Sequence, residues 1–193
     1  MRYRALVGII SATIATSTYA VTDQERSALQ RLYSELAVIS TIVEDCMRLT
    51  EPQRKKEDIT VTSHLSSVLP HIVADNKMIK QVILNLLSNA IKFTPSGGKV
   101  SISCLVERDG SLALSVEDTG IGIREENIVK ALTPFVQVDS ELNRRYQGTG
   151  LGLPLSKNLM ELHGGRLEIS SIYGSGTTVT IYLPSTRVEL SAA

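Results

Sequence analysis

A chain of 193 residues with 42% apolar and 21% charged side chains can bury a core, and it fits one domain with a short appendage. Its 20 Lys and Arg balance its 20 Asp and Glu, so no net field favours nucleic acid or an anionic membrane. Aromatic residues make up 4% and Trp is absent, which argues against a base-stacking platform.

Residues 1–37 read as an atypical N-terminal segment, either signal-like or the remnant of a membrane or dimerisation element. Met1-Arg2-Tyr3-Arg4 is basic, Ala5 to Ala15 is mildly apolar, and Thr18-Tyr19-Ala20 resembles a signal-peptidase site. The apolar stretch is too short to span a bilayer, although membrane association through such a segment stays open. Thr22-Asp23-Gln24-Glu25 fits a capping box that opens a helix to about residue 36. Ser40 or Thr41 is expected to cap a second helix with Ile42, Val43, Cys46, Met47 and Leu49 apolar. Lys55 to Asp58 then connects to a strand over 59–63.

Asp75 is a good N-cap for a helix that runs to about Thr94, where Pro95-Ser96-Gly97-Gly98 stops it. Val100, Ile102, Cys104 and Val106 alternate as a strand, Arg108-Asp109-Gly110 turns the chain, and Leu112, Leu114 and Val116 return. Cys46 and Cys104 lack any CxxC or Cys/His spacing and read as small buried residues in a reducing compartment. Arg124 to Gln147 is long and polar, with one apolar island at 131–138. A helix after Gly152 ends at His163-Gly164-Gly165, and strands at 166–171 and 177–183 follow. This order predicts an α+β fold, a two-layer sandwich with helices on one face of a mixed, mostly antiparallel sheet.

Four features carry chemistry. On the helix from Asn76 to Thr94, seven apolar positions leave one polar stripe of Gln81, Asn85, Ser88, Asn89 and Lys92. Amides and an ammonium on a mostly buried helix need partners, so the stripe either faces solvent or faces a charged ligand. An Asn oxygen is a hard neutral donor suited to Mg²⁺, and amide N–H groups with Lys92 suit phosphate oxygens. Asp118, in Glu117-Asp118-Thr119-Gly120-Ile121-Gly122, ends a strand beside two glycines. It is either a turn former or an acceptor for an exocyclic amine. Gly148-Thr149-Gly150-Leu151-Gly152-Leu153 feeds a helix N-terminus, an arrangement that cradles phosphate or simply turns the chain. Gly174-Ser175-Gly176-Thr177 precedes the last strand.

In this order the four features resemble the catalytic and ATP-binding domain of bacterial sensor histidine kinases, in the wider family of Hsp90-type and MutL-type ATPases. The stretch from Asn85 to Thr94 is similar to the N box, Asp118 to Gly122 to the G1 box, Pro134 to Asp139 to the F box, and Gly148 to Leu153 to the G2 box. The resemblance implies a Bergerat-type ATP-binding fold over 38–187, followed by a tail at 188–193. It implies that Asn85 holds Mg²⁺, that Asn89 and Lys92 contact the phosphates of ATP, and that Asp118 accepts the adenine amine between Gly120 and Gly122. Arg124 to Gln147 becomes a lid docked through Phe135. Gly148, Thr149, Gly150, Leu151 and Gly152 become its hinge and phosphate-facing backbone, and Thr177 is one more nucleotide-binding residue. Arg144 and Arg145 either neutralise phosphate charge during transfer or sit on a solvated surface.

Gln137 stands where many relatives of this family place Arg. Gln81 stands where hydrolytic relatives place a carboxylate, and an amide cannot act as a base, which favours phosphoryl transfer over hydrolysis. The chain's three histidines, His64, His71 and His163, fit no His-Glu-x-x-x-Pro-like phosphoacceptor motif. The expected partners are therefore ATP, a histidine-containing dimerisation domain in cis or in trans, and a response regulator. The expected location is the cytoplasm or the cytoplasmic face of the inner membrane.

Overall fold

The computed structural model describes residues 36–66, 69–136 and 150–189. The helix expected over 22–36, apart from its last residue, lies outside them, as do Gln137, Arg144, Arg145, Gly148 and Thr149. In chain order the elements are β1 (Leu36–Val38), α1 (Ile39–Lys56), β2 (Thr60–Leu65), β3 (His71–Val73), α2 (Asn76–Phe93), β4 (Lys99–Val106) and β5 (Leu112–Asp118). They are followed by α3 (Glu125–Ala131), α4 (Gly152–Leu162), β6 (Arg166–Ile172), β7 (Gly176–Leu183), a 3₁₀ turn at Ser185–Arg187, and β8 (Val188–Glu189).

Local sequence accounts for the central helix. The Asp75 carboxylate accepts hydrogen bonds from the Lys77 and Met78 N–H groups at 2.8 and 3.0 Å, satisfying donors that a helix start leaves open. Ile79, Val82, Ile83, Leu86, Leu87, Ala90 and Ile91 are all buried, as their helical spacing predicts. α2 packs between α1 and α4, and this layer covers one face of a five-stranded sheet in the order β2-β4-β5-β7-β6. The β2–β4 pair is parallel and the other three pairs are antiparallel. Val100, Ile102, Leu114, Val116, Val179 and Ile181 face the helices and are buried. The opposite face is polar, with a 2.9 Å Ser115–Thr180 hydroxyl pair and the Arg166 guanidinium stacked 3.8 Å from the Tyr182 ring centroid. The result is the expected α+β sandwich.

The structure also departs from the sequence reading. Neither Ser40 nor Thr41 caps α1: the helix begins at Ile39 directly after β1, with Val38 at the N-cap and no side-chain cap. Leu49 is 57% exposed, because it falls off the stripe of Ile39, Ile42, Val43 and Cys46, and Thr50 is buried in its place. The Thr50 hydroxyl donates to the Cys46 carbonyl at 3.0 Å, so its burial leaves nothing unpaired. A second, three-stranded sheet, β1-β3-β8, was not foreseen. It takes Val188 and Glu189 out of the expected tail by pairing them with Ile72 and His71.

His163 is the helix-terminal residue the sequence suggested, and it is 5% exposed. Its Nδ1 lies 2.8 Å from the Leu159 carbonyl, and its Nε2 accepts the Asp75 N–H at 3.2 Å. The carbonyl needs a donor and the N–H an acceptor, so the ring is the neutral Nδ1–H form, joining the end of α4 to the start of α2. Both cysteines are free and buried, and burial pushes their thiols up to about 11 at Cys46 and about 12 at Cys104. Among the described residues no helix is long and apolar enough to cross a membrane.

Candidate nucleotide site

The first half of the site is the end of β5. Asp118 pairs in register with Val100 on β4 and Thr177 on β7, and so shares the helix-facing side of the sheet with Val116. Its Oδ1 accepts the Gly120 N–H at 2.8 Å and the Thr177 N–H at 3.2 Å. Burial pushes the carboxyl from 3.8 up to about 6; the nearby Glu117 charge adds to the rise, and the two backbone donors oppose it. Gly120 is required by close approach, since a Cβ there would collide with the Phe93 carbonyl and lie 2.6 Å from Asp118 Oδ1. That carbonyl, at the end of α2, accepts the Ile121 N–H at 3.1 Å and so fixes the loop beneath the carboxylate.

The β6–β7 turn closes the other side. The Gly174 N–H donates to the Ile121 carbonyl at 2.7 Å. Gly176, at φ +131, leaves no room for a Cβ against the Asp118 carbonyl. The Arg124 guanidinium, at the start of α3, stacks 3.9 Å from the Tyr173 ring centroid on this turn.

The second half lies on α2, facing the start of α4. Gly152 is set against the amides of Asn89 and Asn85: a Cβ on it would lie 3.5 and 3.9 Å from their Nδ2 and Cγ atoms. The Asn85 Nδ2 donates at 3.3 Å to the Gly152 carbonyl and at 3.3 Å to the Ser156 hydroxyl, and its Oδ1 accepts from Gln81 Nε2 at 2.9 Å. Asn89 is half-buried and has no hydrogen-bond partner among the described residues. No side chain caps α4, whose N-cap is Leu151. Lys92 is half-buried, burial lowers the pKa of its ammonium, and its Nζ sits 4.8 Å over the Phe93 ring.

Ser88 does not belong to this line. Its hydroxyl donates to Gln53 Oε1 of α1 at 3.1 Å, and the Gln53 amide returns a bond to its carbonyl. It lies at the edge of the polar stripe where α1 packs, whereas Asn85 and Asn89 face α4. Phe135 is not docked in this arrangement, being 77% exposed with its backbone at φ +63. Its N–H donates to the Gly150 carbonyl at 3.3 Å, so the two described ends of the lid segment meet there. Two serines escaped the sequence reading. Ser156, fully buried, is visible as the position one turn after Gly152, whereas Ser171 carries no local signal.

The donor set suits magnesium that arrives with phosphates. Asn85 offers one neutral amide oxygen, and among the described residues no cluster of three His, Cys, Asp or Glu could hold a metal unaided. Mg²⁺ keeps most of its waters and commonly takes one or two protein oxygens plus phosphate, so the residues present fit it.

Sheet, helix layer and the two half-sites define a nucleotide-binding domain. Residues 74–187 match the family described as histidine kinase-, DNA gyrase B-, and HSP90-like ATPase, and the chain belongs to that family as an ATP-binding module of the histidine-kinase type. It is 41% identical over 172 residues to the cell-division control histidine kinase PdhS of Brucella anthropi, a match covering 85% of this chain and 16% of that protein. A 41% match over 162 residues to PdhS of Brucella canis covers 80% of this chain and likewise 16% of the relative. The chain therefore spans about one-sixth of the length of these relatives. Among solved structures, the nucleotide-free catalytic domain of histidine kinase ThkA is 27% identical with a TM-score of 0.66, covering 78% of this chain and 94% of that one. The mycobacterial sensor histidine kinase MprB, at 23% identity, shares the fold with a TM-score of 0.68 over 82% of this chain and 99% of its own.

Proposed function

We propose that this module binds Mg-ATP in the cleft running along α2 from Asn85 to Phe93 and on to Asp118. There it directs the γ-phosphoryl group to a histidine on a dimerisation domain beyond the described residues. One observation carries the reading: the same helix that sets Asn85 and Asn89 against Gly152 clamps, through its last carbonyl, the loop under Asp118.

In this reading Asp118 accepts a hydrogen from the adenine amine, between Gly120 and Gly122, with Thr177 alongside. Asn89, Lys92 and the backbone of Gly148, Thr149, Gly150, Leu151 and Gly152 hold the phosphates. Asn85 holds the magnesium ion, which supplies charge neutralisation at the phosphate oxygens. An imidazole nitrogen of the acceptor attacks the γ-phosphorus, the bond to the β–γ bridging oxygen breaks, and ADP leaves with the electron pair. Arg145, which lies outside the described residues, offsets charge during that transfer in this reading. Gln81 supports transfer rather than hydrolysis, because it spends its amide holding Asn85 and offers no base to a water. Phe135 and the lid close over the nucleotide when it binds. A response regulator then takes the phosphoryl group at the cytoplasmic face of the membrane.

Calorimetry with ATP and Mg²⁺ tests the binding step: the full chain is expected to bind and Asp118→Asn to bind weakly. Incubation with γ-labelled ATP and a dimerisation domain from a relative tests the transfer. Label on the acceptor histidine supports the kinase reading. Tight ATP binding with no transfer favours a nucleotide-sensing module instead.

A further inference from the structure

A buried serine stands behind the Asn85 amide. Ser156, on α4 one turn after Gly152, is fully buried, and its hydroxyl donates to the Gly152 carbonyl at 2.9 Å. The Asn85 Nδ2 lies 3.3 Å from each of these two oxygens. A carbonyl only accepts, and a serine whose one proton is already given to a carbonyl offers Asn85 only lone pairs. Both oxygens therefore demand an N–H, and the Asn85 amide has two to give. Turning the amide over would set its oxygen against the Gly152 carbonyl, two acceptors with no proton between them. At the other end of the amide, Asn85 Oδ1 accepts from Gln81 Nε2 at 2.9 Å, which fills one of its two lone pairs and leaves the other open.

We propose that Ser156 is a positioning residue for metal binding: together with the Gly152 carbonyl it locks the Asn85 amide so that the oxygen, and not the nitrogen, is presented to the cation. The inference rests on the proposed reading of Asn85 as the magnesium contact. Orientation matters because Mg²⁺ takes oxygen ligands, whereas an amide nitrogen turns two hydrogens toward it. The two acceptors are not equivalent. Gly152 is the first residue of α4, where the glycine run ends, whereas Ser156 lies a full turn inside the helix among its buried residues. Because the Ser156 hydroxyl bonds both the carbonyl and the amide, it also keeps the carbonyl aimed at Asn85. Partners that touch the ligand rather than the metal set the ligand's orientation and, through it, the affinity of the site.

The test is calorimetric titration of the full chain with ATP, once with excess Mg²⁺ and once with EDTA. By linkage, the ratio of the two affinities is the factor by which the protein tightens Mg²⁺ on the nucleotide. Ser156→Ala is expected to lower that ratio about tenfold, the low end for such partners because the Gly152 carbonyl remains, and to leave the metal-free affinity essentially unchanged. Equal weakening with and without Mg²⁺, or no change in either, would assign Ser156 a merely structural part in α4 and overturn the inference. In an Asn85→Ala background, Ser156→Ala is expected to leave the ratio where Asn85→Ala alone puts it, because no amide remains to be held; a further fall there overturns the inference too. If the alanine variant does not fold, Ser156→Cys, similar in size but a weak acceptor, carries the same expectation, and an unchanged ratio counts against the inference equally. Failure of the underlying reading looks different: Asn85→Ala itself would leave the ratio at its wild-type value, and the inference would fall with it.

Discussion

The carboxyl of Asp118 links stability and binding in opposite directions. Its value in the folded chain, about 6, stands above the unfolded 3.8 because burial disfavours the charged form. A group raised in this way contributes stability that is fully present below about pH 4 and is lost as the pH climbs through 6. At pH 8 the nucleotide-free chain therefore holds this carboxylate at a cost of about 3 kcal/mol relative to the unfolded chain, from 1.36 kcal/mol per pKa unit. Asp118→Asn keeps the oxygen that accepts the Gly120 and Thr177 N–H groups and cannot ionise. Urea unfolding of the nucleotide-free chain should find the variant more stable than wild type by up to about 3 kcal/mol at pH 8 and indistinguishable near pH 4. Calorimetry should find the reverse order for ATP: loss of a charge-assisted acceptor weakens binding about 10- to 100-fold at pH 8. Wild-type affinity should itself fall as the pH drops through 6. A stability difference that does not vary with pH, or a variant less stable than wild type at pH 8, would refute the reasoning.

Asn89→Ala should change urea stability by less than about 0.5 kcal/mol, since its amide bonds to nothing among the described residues. The same variant should lose about tenfold in ATP affinity by calorimetry. His163→Leu removes the acceptor of the Asp75 N–H and the donor to the Leu159 carbonyl from a buried joint; it should cost about 1–3 kcal/mol in urea unfolding while the far-ultraviolet spectrum keeps its helical shape. Neither cysteine should react with a thiol reagent at pH 8 until denaturant is added, when both should, because burial shields Cys46 and Cys104 and keeps them protonated.

The elements that the sequence determined are those whose cause is local. α2 announces itself through a capping Asp75, seven apolar residues at helical spacing and a glycine-bearing stop. Each of these acts within a turn or two of chain, so all seven positions are buried in the fold. Asn85, Asn89, Asp118 and the glycines were legible for a similar reason: amides on a buried helix, and bare backbone beside a carboxylate, are unusual enough to suggest a ligand before any fold is known. The tertiary structure decided whatever depends on which distant element arrives opposite. Ser88 and Asn89 are adjacent in sequence, yet the packing of α1 bonds the first to Gln53 and the packing of α4 sets the second beside Gly152. Whether Val188 and Glu189 are tail or strand depended on a free edge at β3, and the Phe135 ring is exposed where its backbone, at φ +63, meets the Gly150 carbonyl. Ser171 reads as one more polar residue on a strand. Its partners come from strand order alone, which puts it beside Thr177 and brings Ile123, 48 residues earlier, onto its oxygen. Hydrophobic periodicity is written along the chain, but a hydrogen-bond chain across three strands exists only once the sheet has formed.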